Sequence, residues 1–317
     1  MRVAAGAPVP LTPWWDRRIM VELVLISAMG ARTVRYGIVL FTSDRGITPA
    51  DAAVAAERAG FDTFYVPEHT HIPVVRAAAH PRTGDASLPD DRYLRTLDPW
   101  VALGTAASVT ERIGLSTAVA LPAEHHPITL AKTIASLDHL SGGRVSLGVG
   151  FGWNTDELAH HGVPAGKRRT VLREHLEAMR VLWTEEEAGF DGEFVTFGAS
   201  WSWPKPVQKR IPVLLGAAGT EKNFTWLANY ADGWITTPTE DGLDQKIALL
   251  HRVWREHGRA DRPEVVALAG RHDAEQLARW AEAGVTEAVF GLPDRAAEDV
   301  RAYLTRLAGK LGIQPNG

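Results

Sequence analysis

Four short stretches of this sequence carry groups that can move a proton or hold a charge. Glu68-His69-Thr70-His71 and Glu124-His125-His126 place imidazoles beside carboxylates. Imidazole gains and loses a proton near neutral pH, so both stretches suit general acid–base chemistry. Trp153 and Asn154, with Asp156 and Glu157 close behind, end the run Arg144–Glu157. Gly216-Ala217-Ala218-Gly219-Thr220 has no titratable side chain. Small residues before a helix leave backbone N–H groups open, and the helix start adds positive partial charge, so this stretch suits an anion such as phosphate. Its spacing matches neither G-x-G-x-x-G nor a Walker loop.

A metal is the first alternative, because His69 and His71 have H-x-H spacing and imidazole is a common zinc ligand. A metal-dependent hydrolase needs further ligands from later strands. The fifth and sixth predicted strands end in GAAG and TTP, and His272 after the seventh stands alone. No metal site is therefore expected. A solvated loop is the competing account of each single histidine, and Pro127 makes a helix start an adequate account of His125 and His126.

Composition narrows the classes. The 317 residues are 45% hydrophobic and 23% charged, ordinary for a globular chain with one large core. A net charge of −4 supplies no basic field for nucleic acid or a membrane surface. The absence of cysteine excludes disulfides, thiolate nucleophiles and cysteine-ligated metals. No stretch is apolar and long enough for a bilayer. Residues 1–33 contain Arg17-Arg18 and an apolar run to Ala31, which loosely resembles a secretory signal, but Glu22 and Asp16 argue against one. They are read as a dispensable extension, with Met29 a candidate start, and a cytoplasmic protein is expected.

The elements that must position the four stretches alternate regularly. Strands are expected at 34–41, 63–66, 113–121, the anchor run Val145–Val149, 213–215, 233–237, 265–269 and 288–292. Helices are expected at 49–59, 98–109, 128–140, 221–230 and 274–283, and through Leu172–Trp183, Ile247–Trp254 and Val300–Leu307. Residues 67–97 read as a long loop, a length usually tied to function or disorder. Eight strand–helix units predict one (β/α)8 TIM barrel over residues 34–312, with 313–317 as a tail; an open doubly wound sheet is the alternative. In a barrel the C-terminal strand ends carry the active site, and that rule gathers Glu68, His69, His71, Glu124, His125, His126, Trp153, Asn154, Glu157, Gly216, Gly219 and Thr220 at one mouth. Gly148, Gly150 and Gly152 read as backbone that something approaches closely, so Gly150 and Asn154 join the floor of a ligand site. The hairpin at 190–197 follows a helix and is expected on the opposite face, which leaves Trp201 and Trp203 outside the site.

Four segments carry a resemblance. AAERAGFDTFYVPEH (Ala55–His69), RIGLSTAVALPAEHHPITLAKTIASLDHLSGGRVSLGVGFGW (Arg112–Trp153), LLGAAG (Leu214–Gly219) and YADGWITTP (Tyr230–Pro238) resemble the bacterial luciferase-like monooxygenase superfamily, particularly its branch using the deazaflavin F420. The resemblance covers most of Val34–Leu311. It implies a (β/α)8 barrel that binds F420, or alternatively FMN, reversibly in its mouth, acts on a small organic substrate, and is often a homodimer. It implies a non-proline cis peptide at Thr117-Ala118, a phosphate loop at Ala217, Ala218, Gly219 and Thr220, and ring contacts from His69, Thr117, Ala118, Val119 and Trp153. Some F420-dependent dehydrogenases of this kind have a histidine matching His69 but a glutamate where this chain has Trp153. The expected activity is hydride transfer, with His69 as proton-transfer residue and Glu68 beside it to orient it. A reduced-FMN monooxygenase and a non-catalytic flavin binder are the alternatives.

Overall fold

A computed structural model describes residues 34–164, 166–237, 241–269 and 274–316. The extension 1–33, His272 and Pro238 lie outside the described residues.

Eight parallel strands close into a barrel. In chain order the elements are β1 (Arg35–Val39), α1 (Pro49–Ala59), β2 (Thr63–Val66), α2 (Pro99–Ala107), β3 (Gly114–Thr117), α3 (Pro127–Ser141), β4 (Val145–Gly150), α4 (Thr155–His160), α5 (Arg168–Thr184), β5 (Ala188–Asp191), β6 (Thr196–Ser200), β7 (Val213–Gly216), α6 (Glu221–Tyr230), β8 (Gly233–Ile235), α7 (Leu243–Glu256), β9 (Glu264–Ala269), α8 (Ala274–Ala283), β10 (Glu287–Gly291) and α9 (Ala297–Leu311). The barrel runs β1-β10-β9-β8-β7-β4-β3-β2, and the pair β5-β6 stands outside it. Closure removes every sheet edge, so each strand finds partners on both sides.

Local chemistry explains the boundaries. Thr48 caps α1 by accepting from Asp51 N at 3.1 Å, Pro49 opens the helix, and Gly60 closes it at φ +90°. The strands are near-continuous apolar runs because both faces are covered. Their outward side chains meet the helices in one large core that includes Phe64, Leu115, Leu147, Leu215 and Trp254. A smaller cluster of Tyr65, Leu214, Ile235, Val266 and Val289 fills the barrel interior. Truncating a buried Leu or Ile of this core to Ala costs about 2–5 kcal/mol, through lost transfer energy and a cavity.

Two expectations change here. Residues 155–160 form α4, a short helix not anticipated between the fourth strand and the helix through Leu172. The hairpin does not stay on the opposite face. It starts at the far end of α5 but climbs back along it. Glu193 pairs with Lys167 at 3.0 Å, and Phe194 N donates to Glu174 Oε2 at 2.7 Å, both near the start of α5. Trp201 and Trp203, after the hairpin, are 73% and 59% exposed.

Candidate active site

β2 ends at Val66, and Glu68 and His69 follow at the C-terminal mouth. The two side chains part. Glu68 turns under the rim, where its carboxylate accepts from Leu121 N and pairs with His125 Nε2 at 2.6 Å. It is 3% exposed. Burial alone would lower the affinity of His125 for a proton, but the hydrogen bond and charge of Glu68 outweigh it and raise the His125 pKa. The carboxylate that meets His69 is Glu157, carried on α4. His69 Nδ1 donates to Glu157 Oε2 at 2.8 Å. Trp153 Nε1 points at the other ring nitrogen, His69 Nε2, at 3.4 Å. This sets one tautomer, with Nδ1 as donor to a carboxylate and Nε2 as the free base.

Glu157 is wholly buried and well supplied with donors. Thr70 N reaches its Oε1 at 3.0 Å, and Asn154 Nδ2 its Oε2 at 3.2 Å. Burial pushes the Glu157 pKa up, but the bonds from His69, His71 and Thr70 prevail and bring it below the usual value. Asn154 also caps α4 through Glu157 N at 3.4 Å. It is 2% exposed, so it braces Glu157 rather than forming an open floor. Glu124 behaves oppositely. Its burial, with Glu157 and Glu68 nearby, pushes its pKa up to about 9.

The long loop 67–97 is part of the site. His80 and Tyr93 fold inward and join at 3.1 Å between Nε2 and the phenol oxygen. His69 lies 5.5 Å from the Tyr93 ring and 5.7 Å from Trp153, and His80 meets Trp153 edge-on at 4.7 Å. The signal for these two residues in the sequence was aromatic and imidazole content inside an overlong loop. Asp156 ties the loop down by accepting from Ala77 N and Ala78 N at 2.8 and 2.9 Å.

The end of β3 explains the glycines. The non-proline cis peptide is Ala118-Val119, one residue beyond the expected Thr117-Ala118. Thr117 is buried, with Oγ1 donating to Gly148 O at 2.6 Å. Ala118 and Val119 are the half-buried pair at the mouth. A Cβ on Gly150 would lie 2.6 Å from Val119 Cγ2, and one on Gly216 would lie 2.4 Å from Val119 Cγ1. These glycines therefore make room for Val119, and Gly150 serves the mouth through it. The close approach inferred from the glycine spacing is made by the protein itself: by the β3 end at Gly148 and Gly150, and by Leu158 of α4 at Gly152.

Across the mouth, β7 leads through Gly216-Ala217-Ala218-Gly219 into α6. Thr220 caps α6 by accepting from Asn223 N at 3.3 Å. Ala217 O accepts from Trp234 Nε1 at 2.7 Å, and Ala218 O from Asn223 Nδ2 at 2.8 Å. Ala218 and Thr220 are exposed, whereas Gly219 is buried against Trp234 and Lys246. Arg169 Nη2 donates to Asn223 Oδ1 at 2.6 Å, and its guanidinium stacks over Phe151 at 4.0 Å. Arg169 thus reaches an exposed helix start, whose first residue, Glu221, pairs with Arg252 at 3.4 Å, and the small residues before it fit a phosphorylated tail. Half-buried Ala118 and Val119 fit the apolar face of a ring system. Among the described residues no cluster of three or more His, Asp or Glu has the arrangement of a metal site.

A luciferase-like monooxygenase family profile matches residues 48–309. An uncharacterized protein of Mycobacterium tuberculosis (strain ATCC 25618 / H37Rv) is 69% identical over 278 residues, 88% of this chain and 99% of that one. An F420-dependent glucose-6-phosphate dehydrogenase of Nakamurella multipartita is 34% identical over 197 residues, 59% of this chain and 51% of that one. By structure, an F420-dependent secondary alcohol dehydrogenase in complex with an F420-acetone adduct superposes with TM-score 0.69 at 19% identity, covering 90% of this chain and 100% of that one. The monooxygenase RslO1 from Streptomyces bottropensis superposes with TM-score 0.68 at 19% identity, covering 88% and 98%. Those two likenesses speak for the fold alone. The barrel and the match over residues 48–309 establish that this chain belongs to the luciferase-like monooxygenase family, an oxidoreductase family.

Proposed function

We propose that this protein is an F420-dependent oxidoreductase in which His69 handles the substrate's proton. The observation that carries the reading is the His69–Glu157 pair at the mouth. Nδ1 is anchored on a buried carboxylate, and Nε2 is left as the base. Hydride removal from an alcohol-like carbon requires that the attached oxygen lose a proton, and the reverse reaction requires that it gain one. A bound deazaflavin supplies the hydride chemistry. His69 takes or returns the proton at Nε2, and Glu157 stabilises the imidazolium that forms, as a buried carboxylate does for an imidazole base. Glu68 acts one step away, fixing His125 and the β3 end at Leu121 N. Ala118 and Val119 back the ring, while Ala217, Ala218, Thr220 and Arg169 hold the anionic tail. Trp153 stands where related dehydrogenases carry a glutamate, so the proton falls to His69.

F420 is favoured over FMN by the identity to F420-dependent glucose-6-phosphate dehydrogenases of two organisms, 34% and 35% over about half of each. A reduced-FMN monooxygenase is the second reading, kept because the fold likeness to RslO1 is as close as that to the alcohol dehydrogenase. Titrating the purified protein with F420, FMN and FAD, each followed by fluorescence, separates them. Tighter FMN binding with oxygen-dependent turnover sinks the F420 assignment. We further propose a small organic substrate, a cytoplasmic location and a homodimer, with no nucleic-acid or membrane partner. No helix among the described residues is long and apolar enough to cross a membrane. Exposed Leu140, Trp203 and Val207, at 78%, 59% and 54%, lie on α3 and the connector packed on it, and support the dimer.

A further inference from the structure

Behind the mouth, three glutamates share one buried space. Glu68, Glu124 and Glu157 are 3%, 7% and 0% exposed. Glu68 is matched by His125, and Glu157 by His69 and three amide donors. Glu124 has no cation in hydrogen-bond contact; the nearest imidazole nitrogen, His161 Nε2, is 3.8 Å away. Its Oε2 meets the Thr70 hydroxyl at 3.2 Å, and its Oε1 is buried with no partner. A charged, half-satisfied carboxylate beside two others is expensive, so the neutral acid is the stable form. The same residue lines a cavity of about 410 Å³ between the start of α3, the 161–164 turn, α5 and the hairpin tip. The Glu124 side chain itself is 0% exposed, and His161, which lines the same cavity with its side chain 26% exposed, stands between the carboxyl and the open space.

Thr70 connects the two carboxylates. Its Oγ1 is 3.2 Å from Glu124 Oε2, 3.4 Å from Glu157 Oε1, 3.0 Å from His71 Nδ1 and 2.7 Å from His161 Nε2. A hydroxyl has one proton to give. When Glu124 is neutral, Thr70 donates to Glu157. When Glu124 is charged, Thr70 turns to Glu124, and Glu157 keeps only His69 and its three amide donors. We infer that Glu124 is a positioning residue that balances the charge of His69: it releases its proton toward His161 and the cavity as His69 Nε2 takes one up, and recovers it as His69 gives its proton back. One proton enters the network and one leaves, so the buried charge stays constant and no electrons move. The inference rests on the proposed role of His69. The ionisable groups facing Glu124 are Glu68 after β2, Glu157 and His161 at the two ends of α4, His71 through Thr70, and His125, His126 and His175 around the cavity.

The test is a pH titration of the full chain by NMR, with carboxyl-¹³C glutamate and ring-¹⁵N histidine. The wild type, Glu124→Gln and Thr70→Val are compared. One carboxyl should titrate far above the ordinary glutamate range and vanish in Glu124→Gln. The His69 ring signals should respond over that same pH interval, and the response should be lost in Glu124→Gln and weakened in Thr70→Val. A wild type with no high-titrating carboxyl overturns the inference. So does a high titration that leaves His69 unmoved, a result visible in the wild type even where Glu124→Gln fails to fold. F420 titration of the same samples keeps the two readings apart. Coupling without F420 binding removes only the cofactor assignment, and F420 binding without coupling removes only this inference.

Discussion

The two sides of the barrel mouth solve opposite problems. The β2–β4 side is crowded with groups that titrate: Glu68, His69, Glu124, His125 and Glu157, each buried or half-buried and most of them bonded to another. The β7 side carries Ala217, Ala218, Gly219 and Thr220, with Arg169 and Lys246 next to them. Low dielectric and shared hydrogen bonds make protons on the first side responsive to one another. The second side offers a fixed helix-start dipole and the guanidinium of Arg169. One region therefore suits proton movement and the other suits holding a constant anionic tail. Breaking each region should give separable phenotypes.

The largest effect is expected from His69→Ala. Turnover with an identified substrate should fall about 10²–10⁴-fold, while F420 affinity stays within a few fold. Equal losses in both would make His69 a packing residue. Glu157→Gln should lower turnover by less than that, because Gln still accepts from Nδ1–H but cannot stabilise an imidazolium; wild-type turnover would disconnect Glu157 from the chemistry.

On the β7 side, Ala218→Asp should weaken F420 binding roughly tenfold by placing a carboxylate at the helix start. Its melting temperature should hold, since Ala218 is exposed. Gly219→Asp makes the sharper control. A Cβ there would lie 3.0 Å from the Trp234 ring, so stability and binding should fall together. Unchanged affinity in Ala218→Asp would take the loop out of the site.

A smaller effect is expected in the pH dependence of stability. Glu124 titrates near 4.5 when unfolded and at about 9 when folded. Between those values the native state binds more protons, so this residue makes stability fall as pH rises, by up to about one proton's worth of slope. His125, also raised, acts in the same direction as pH passes its folded pKa. Glu157, lowered, adds stability above the usual carboxylate range and loses it in acid. The melting temperature of Glu124→Gln should therefore decline less from pH 5 to 9 than that of the wild type; parallel curves would place the excess proton elsewhere. The smallest effect on catalysis is expected from Leu140→Glu, which should shift sedimentation toward monomer with activity retained if α3 forms the dimer face.

The sequence by itself determined the barrel, because alternation of apolar strands and amphipathic helices is a local property repeated eight times. Pro49 and Gly60 stand at the two ends of α1 for equally local reasons. It also determined which loops face the mouth, since strand direction dictates that. What it did not determine is pairing. Glu68 is adjacent to His69 in the chain, yet consecutive side chains after a strand point apart, and Glu157, 88 positions away, takes the contact. The glycine spacing announced a close approach but not that the protein's own β3 end and Leu158 make it. The hairpin's return toward the mouth depended on Glu174 capturing Phe194 N, a contact with no signature in either segment. Burial was the other unknown. Glu124 reads as a loop carboxylate, and only the tertiary packing leaves its side chain 0% exposed, out of the solvent that would keep it charged.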